Sequence, residues 1–245
     1  MYKEESPMAR REQWYHRLPD DDQQTQIFIY EAPMRLWHWL NALCMVALTA
    51  TGYLIGTPLP SYTGDPSVVY VMGWIRFVHL GAGYLFAVLW LMRIWWAIVG
   101  NGYARQLFIP RFWRTSWMEG LWWQLAWNLF LGGEAKRYTG LNPLAHITII
   151  LLYIIPSIVL ILTGFAMYAE VAGHESWQYH LFGWMNSIFA NTMDLHSIHR
   201  LSMWAACLFI LIHVYNVVRE DVVSRQSIVS AMLSGFRLFK SNSRR

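Results

Sequence analysis

Four apolar stretches dominate the chain, at roughly 35–56, 76–99, 143–168 and 195–218. Each reaches the ~20 residues a helix needs to cross a hydrocarbon core of ~30 Å. The pattern therefore predicts an all-α membrane protein, a four-transmembrane-helix bundle spanning 35–218. A polar N-terminal tail (1–34) precedes it and a second tail (219–245) follows. The first span begins behind a charged segment with no small-residue cleavage site, so it does not read as a removable signal. Between the second and third spans, "RFWRTSWMEGLWWQLAWNLFLGG" sets Trp113, Trp117, Leu121, Leu125 and Leu129 at helical spacing. Arg111, Arg114, Glu119 and Gln124 interrupt it. This predicts a helix at about 112–131 lying along the interface rather than a fifth crossing. On the other side, "LFGWMNSIFANTMD" is similar but uncharged until Asp194, which fits an interfacial helix or a docking surface. Pro156 and Gly164 fall inside a span, where neighbouring groups can satisfy the freed backbone.

Charge sets the expected orientation. Lys3, Arg10, Arg11 and Arg17 precede the first span. Arg105, Arg111, Arg114, Lys136 and Arg137 lie between the second and third. Arg219, Arg225, Arg237, Lys240, Arg244 and Arg245 follow the fourth, whereas 57–75 and 169–194 contain no Lys or Arg. The positive-inside rule then places both termini in the cytoplasm. The net charge of +4 follows from this asymmetry and implies no nucleic-acid partner.

Composition agrees with the pattern. Hydrophobic residues make up 56% and charged residues 14%, against about 25% charged in soluble domains. The 15 Trp suit aromatic girdles. Cys44 and Cys207 both lie within spans and read as small packing residues. Two isolated cysteines cannot build a Cys₄ iron–sulfur site. There is no C-x-x-C-H for covalent haem attachment.

Histidine is the polar residue that this pattern does not explain. His38, His79, His199 and His213 lie inside spans, where ionisable groups are costly and mark function. Counted along alternating helices, His38 and His213 lie near the cytoplasmic face, and His79 and His199 near the outer face. His199 and His213 are 14 residues apart, about 21 Å along a helix and about 40° short of four full turns. They share one side of the fourth span. His196 points about 100° away from His213 and lies nearer the surface. Two imidazole pairs at two depths are what two bis-histidine haems require. The expected pairs are His38 with His213 at the inner level and His79 with His199 at the outer. Zinc prefers four clustered ligands, and neither depth supplies a third.

Other residues gather around these levels. Gly52, 14 residues beyond His38, would let a porphyrin approach the backbone, and Gly81 and Gly83 follow His79. Ordinary small-residue helix packing is the alternative. Arg76 and Arg200 each lie within a turn of a ligand, and Arg93 lies at the inner depth. All three suit anionic propionates. Arg35 reads as a snorkelling residue. Asn142 and His146 open the third span at the cytoplasmic face, as hydrogen-bond donors for a quinone. His16, His174 and His180 lie in tail or loop without a specific role.

"RLWHWLNALCMVALTATG" and "SIHRLSMWAACLFILIH" resemble the signature regions of the b-type cytochrome subunit of membrane-bound [NiFe] uptake hydrogenases. "YEAPMRLWHW" and "HVYNVVRED" extend the match over residues 30–235. The resemblance implies a membrane anchor for a periplasmic [NiFe]-hydrogenase, docked through the iron–sulfur small subunit and through it the large subunit. It implies two non-covalent haem b groups with His38, His79, His199 and His213 as axial ligands. Electrons would pass from the outer to the inner haem and on to quinone, with no hydrogenase active site in this chain. Formate dehydrogenase gamma subunits look like more distant relatives. Two rivals remain open. One is a cytochrome serving formate dehydrogenase or thiosulfate reductase, or acting alone; the other is a histidine-relay transporter without haem.

Overall fold

A computed structural model of the protein describes residues 15–17, 24–58, 70–110, 112–131, 138, 140–189, 191–224 and 227–240. Lys3, Arg10, Arg11, Arg111, Lys136, Arg137, Arg225, Arg244 and Arg245 of the charge pattern lie outside the described residues, as does most of the 57–75 loop. Four helices are long and apolar enough to cross a membrane: α1 (Ala32–Gly56), α2 (Val71–Val99), α5 (Pro143–Ala172) and α8 (Thr192–Ser224). Shorter helices fill the connections: α3 (Gly102–Gln106), α4 (Thr115–Asn128), α6 (Trp177–Phe182), α7 (Trp184–Ile188) and α9 (Ile228–Ser234).

Local chemistry sets the helix ends. Pro33 occupies the first turn of α1, where its missing N–H costs nothing. Asn142 caps α5 by accepting the Ala145 N–H at 2.7 Å, with Pro143 following it. Asp194 lies in the first turn of α8, where the helix dipole favours an anion. Inside α5, residues Ile150–Ile154 form a π-helical turn, and the Ile155 N–H reaches back to the Ile150 carbonyl. Pro156 comes next and has no N–H to give, so the wider turn accommodates the break in the hydrogen-bond ladder.

The chain divides into two compact units. One, 37–95 with 147–211, contains most of α1, α2, α5 and α8 together with α6 and α7. It is a four-helix assembly held by aromatic contacts. Trp37 meets Trp90 edge-on at 6.3 Å, Trp90 lies 5.5 Å from Tyr153, and Tyr153 stacks on Phe209 at 5.0 Å. At its other end, Ala166, Met185 and Leu195 are buried together with Phe182 and Phe189 packed against them. The outer faces of the spans remain apolar and exposed, with Leu91 at 68% and Leu201 at 70%. A continuous apolar face of that kind calls for lipid around it.

The other unit, 1–36 with 96–146 and 212–245, holds the tails and the long connection. The tails are not simply polar coil. β1 (Tyr15–Arg17), β2 (Gln24–Phe28) and β3 (Phe236–Lys240) form an antiparallel sheet in that order, with Ile27 opposite Arg237. Hydropathy does not signal this sheet, because the strands are short and come from opposite ends of the sequence. Gly235 O accepts the N–H groups of Ile29 and Tyr30. The Glu31 carboxylate accepts Trp96 Nε1 at 3.1 Å and the Asn101 N–H at 3.2 Å. Helix α4 packs through Gly120, Gln124 and Trp127, one helical stripe. Trp113 and Leu129 of the expected apolar row stay exposed. A polar residue belongs on the packed stripe because Gln124 donates to Glu220 at 3.2 Å.

Candidate functional site

Among the described residues, no three His, Cys, Asp or Glu side chains gather as a ligand cluster for a bare metal ion. The histidines instead meet in twos. His79 on α2 and His199 on α8 face each other with ring centroids 6.5 Å apart and planes at 66°. Two metal–imidazole bonds of ~2 Å, with ~1 Å from each nitrogen to its ring centre, give a separation of about 6 Å. The observed 6.5 Å lies close to that spacing. His196 is exposed, and its Nδ1 donates to its own helix at Thr192 O, 2.9 Å away. The structure brings His199, not His196, against His79.

The outward nitrogen of each ring is held by a threonine. Thr51 Oγ1 on α1 lies 2.9 Å from His79 Nδ1, and Thr163 Oγ1 on α5 lies 2.8 Å from His199 Nδ1. Each threonine is followed by a glycine that makes room for the same imidazole. A Cβ on Gly52 would come within 3.1 Å of His79 Cε1, and one on Gly164 within 3.4 Å of His199 Cε1. Gly52 thus clears the ligand ring itself, where the sequence spacing pointed to the porphyrin. Gly81 has nothing within 4 Å of its would-be Cβ, and Gly83 only Leu48 at 4.0 Å.

The sequence reading missed Thr51, Thr163 and the role of Gly164. A signal was available: the dipeptide Thr-Gly recurs late in the first and third spans, at Thr51-Gly52 and Thr163-Gly164.

The remaining residues take separate places. His38 on α1 is half-buried beside Trp39, with ring centroids 5.1 Å apart. His213 is half-buried on α8, in the same unbroken helix as His199. Arg93 is 1% exposed, and its guanidinium carbon lies 5.4 Å from the Trp37 ring centroid. In the same unit Trp37 Nε1 and Ser157 Oγ are buried with no hydrogen-bond partner among the described residues, which is costly unless a polar group meets them. Arg76 is exposed, and Arg200 lays its guanidinium over Gly56, 3.6 Å from the would-be Cβ. Asn142 Nδ2 donates to Glu220 at 3.0 Å. His146 is 2% exposed, with Nε2 3.2 Å from Leu107 O. Cys44 and Cys207 are free thiols.

Paired imidazoles on neighbouring apolar spans are the kind of site at which a membrane cytochrome can hold haem. The chain belongs to the prokaryotic cytochrome b561 family, whose model matches residues 29–235. It is thereby a haem-binding protein of electron transport. It is 48% identical over 215 residues to the probable Ni/Fe-hydrogenase B-type cytochrome subunit of Rhizobium leguminosarum bv. viciae, covering 87% of this chain and 90% of that protein. The protein of the same name from Azotobacter vinelandii is 46% identical over 219 residues, 89% of this chain and 91% of the relative. The probable Ni/Fe-hydrogenase 1 B-type cytochrome subunit of Escherichia coli K12 is 43% identical over 218 residues, 87% of this chain and 91% of the relative.

Proposed function

We propose that the chain is the dihaem subunit that links a periplasmic [NiFe]-hydrogenase to the quinone pool of the bacterial inner membrane. The observation that carries this reading is the His79–His199 pair, with facing rings 6.5 Å apart. The names of the relatives support association with a Ni/Fe-hydrogenase; the docking partner in this reading is its iron–sulfur small subunit and through it the large subunit. Bound haem b supplies reversible one-electron transfer.

The chain's own residues bind and orient. His79 and His199 hold the outer group, and His38 and His213 the inner one. The inner pair rests on helical spacing: α8 runs unbroken through both of its histidines, 14 residues apart and on nearly one face. The buried Arg93, with the unpartnered Trp37 Nε1 and Ser157 Oγ, supports a second polar-edged group at that end. Arg76 and Arg200 serve the outer group's carboxylates. The apolar walls exclude water. Asn142 and His146 are the candidate quinone contacts. Asn142 Nδ2 donates one hydrogen to Glu220 and keeps a second for a quinone carbonyl, whereas His146 donating through Nε2 would have to give up Leu107 O.

An even number of crossings puts both termini on one face, and pairing of the tails in one sheet fits that. The Lys and Arg distribution makes that face cytoplasmic.

Purification of the native complex tests the reading. The expected result is two haem b per chain with a nickel-containing partner. A copurifying molybdenum or tungsten enzyme overturns the hydrogenase assignment, and a chain without b-type absorbance points to the histidine-relay transporter. Replacing His79 or His199 by Ala should remove the outer haem and block electron entry. Replacing His38 or His213 should stop quinone reduction while the outer haem stays reducible.

A further inference from the structure

Thr51 and Thr163 do the same thing on two different helices. Each hydroxyl has one hydrogen. Thr51 Oγ1 places it on Ala47 O, 2.6 Å away and one turn back along α1. Thr163 Oγ1 places it on Val159 O, also at 2.6 Å, one turn back along α5. With its hydrogen committed, each hydroxyl can only accept from the imidazole at 2.9 and 2.8 Å. Nδ1 of His79 and of His199 therefore carries the proton, and Nε2 of each ring keeps the lone pair that a metal needs. Thr163 is 1% exposed, so no water competes for the bond. The adjoining Gly52 and Gly164 let each ring reach the hydroxyl without a Cβ in the way. The arrangement repeats with a two-fold pattern: the Thr-Gly of the first span serves the histidine of the second, and that of the third span serves the histidine of the fourth.

We propose that Thr51 and Thr163 are paired positioning residues that fix the tautomer and plane of His79 and His199 and so keep the reduction potential of the outer haem low. This rests on the reading that those two histidines hold a haem. The physical route is ligand basicity. An imidazole whose N–H is given to a fixed acceptor donates more strongly through its other nitrogen, which favours the more highly charged ferric state. The same bond fixes the ring planes, and so the 66° angle between them, in which the two imidazoles would hold the haem.

The test uses the full-length protein carrying Thr51→Val or Thr163→Val, with Thr→Ser at each position as the conservative control. Valine keeps the shape and removes the acceptor, whereas serine keeps the acceptor. Three quantities are read: the midpoint potential of each haem by potentiometric titration of the b-type band, the anisotropy of the ferric low-spin EPR signal, and haemin affinity.

Each Val variant should raise the potential of the outer haem alone, change its EPR anisotropy, and weaken haemin binding by about tenfold or more, the usual scale for a lost outer-shell partner. The Ser variants should restore all three. Val variants that keep wild-type potential and EPR overturn the proposal, and so do Ser variants that shift as far as Val. Where Val costs the haem outright, Ser decides: wild-type potential supports the assignment and a loss or shift overturns it. Failure of the underlying reading looks different, because His79→Ala and His199→Ala then keep the full haem content, and this assignment falls with it.

Discussion

Gly52 contributes by having no side chain. The His79 ring occupies the space a methyl group would need, with Cε1 3.1 Å from an ideal Cβ. That contact is tight enough to push the ring, which is tied to Thr51 and, on the proposed reading, holds the haem. Gly52→Ala should therefore lower the haem content of the purified protein, read from its b-type absorbance. Gly81→Ala is the control: its Cβ meets nothing within 4 Å, and removing a helical glycine gains up to about 1 kcal/mol. Haem content should stay at wild type there. The four histidines stood out in the sequence because imidazole inside an apolar span needs a reason, and the structure brings His79 and His199 together. The threonines did not, since a hydroxyl bonded to its own helix passes unnoticed in a membrane segment. Only the neighbouring helix turns that hydroxyl into an acceptor.

At the level of elements, the end of α8 organises what packs beside it. Glu220 accepts Gln124 Nε2 from α4 and Asn142 Nδ2 from the start of α5. Arg219, one residue earlier, lays its guanidinium 3.8 Å from the Trp127 ring centroid and donates to Trp127 O at 2.9 Å. Glu220→Ala leaves two amides without an acceptor, a cost of about 2 kcal/mol. A lower Tm in detergent, with Glu220→Gln falling less, is the expected result.

The tail sheet carries a pH response of its own. Burial, partly offset by the Arg237 charge, raises the Tyr30 phenol above its usual 10.0. The folded form thus resists losing that proton, and the stability it confers is complete below pH 10. It is lost as pH rises above that, where the unfolded chain ionises first. Proteolysis of the tails should accelerate above pH 10 in the native protein and much less in Tyr30→Phe. Spans and the α4 helix were readable from hydrophobic runs. The face that α4 buries was not, because a Gln–Glu bond across elements outweighed its apolar row.

For the whole molecule, the four spans expose more apolar surface than they bury: only 6% of the apolar window of α8 and 39% of that of Pro143–Ala172 are covered within the protein. Lipid and partner subunits must cover the rest. Reporters that are active only in the periplasm should be silent when fused after residue 240 and active when inserted in the 57–75 loop. The reverse pattern sinks the orientation argued from Lys and Arg.

The sequence by itself determined the solvent and singled out the histidines. Apolar runs of bilayer length demand a membrane, and histidines at helical spacing within them demand a partner, because both constraints act along a single chain. Tertiary structure decided which imidazole faces which, that Gly52 makes way for a ring, that two threonines hold the outward nitrogens, and that the tails close into a sheet. These depend on groups far apart in sequence coming within bonding distance, and hydrophobic period and helical pitch carry no record of that.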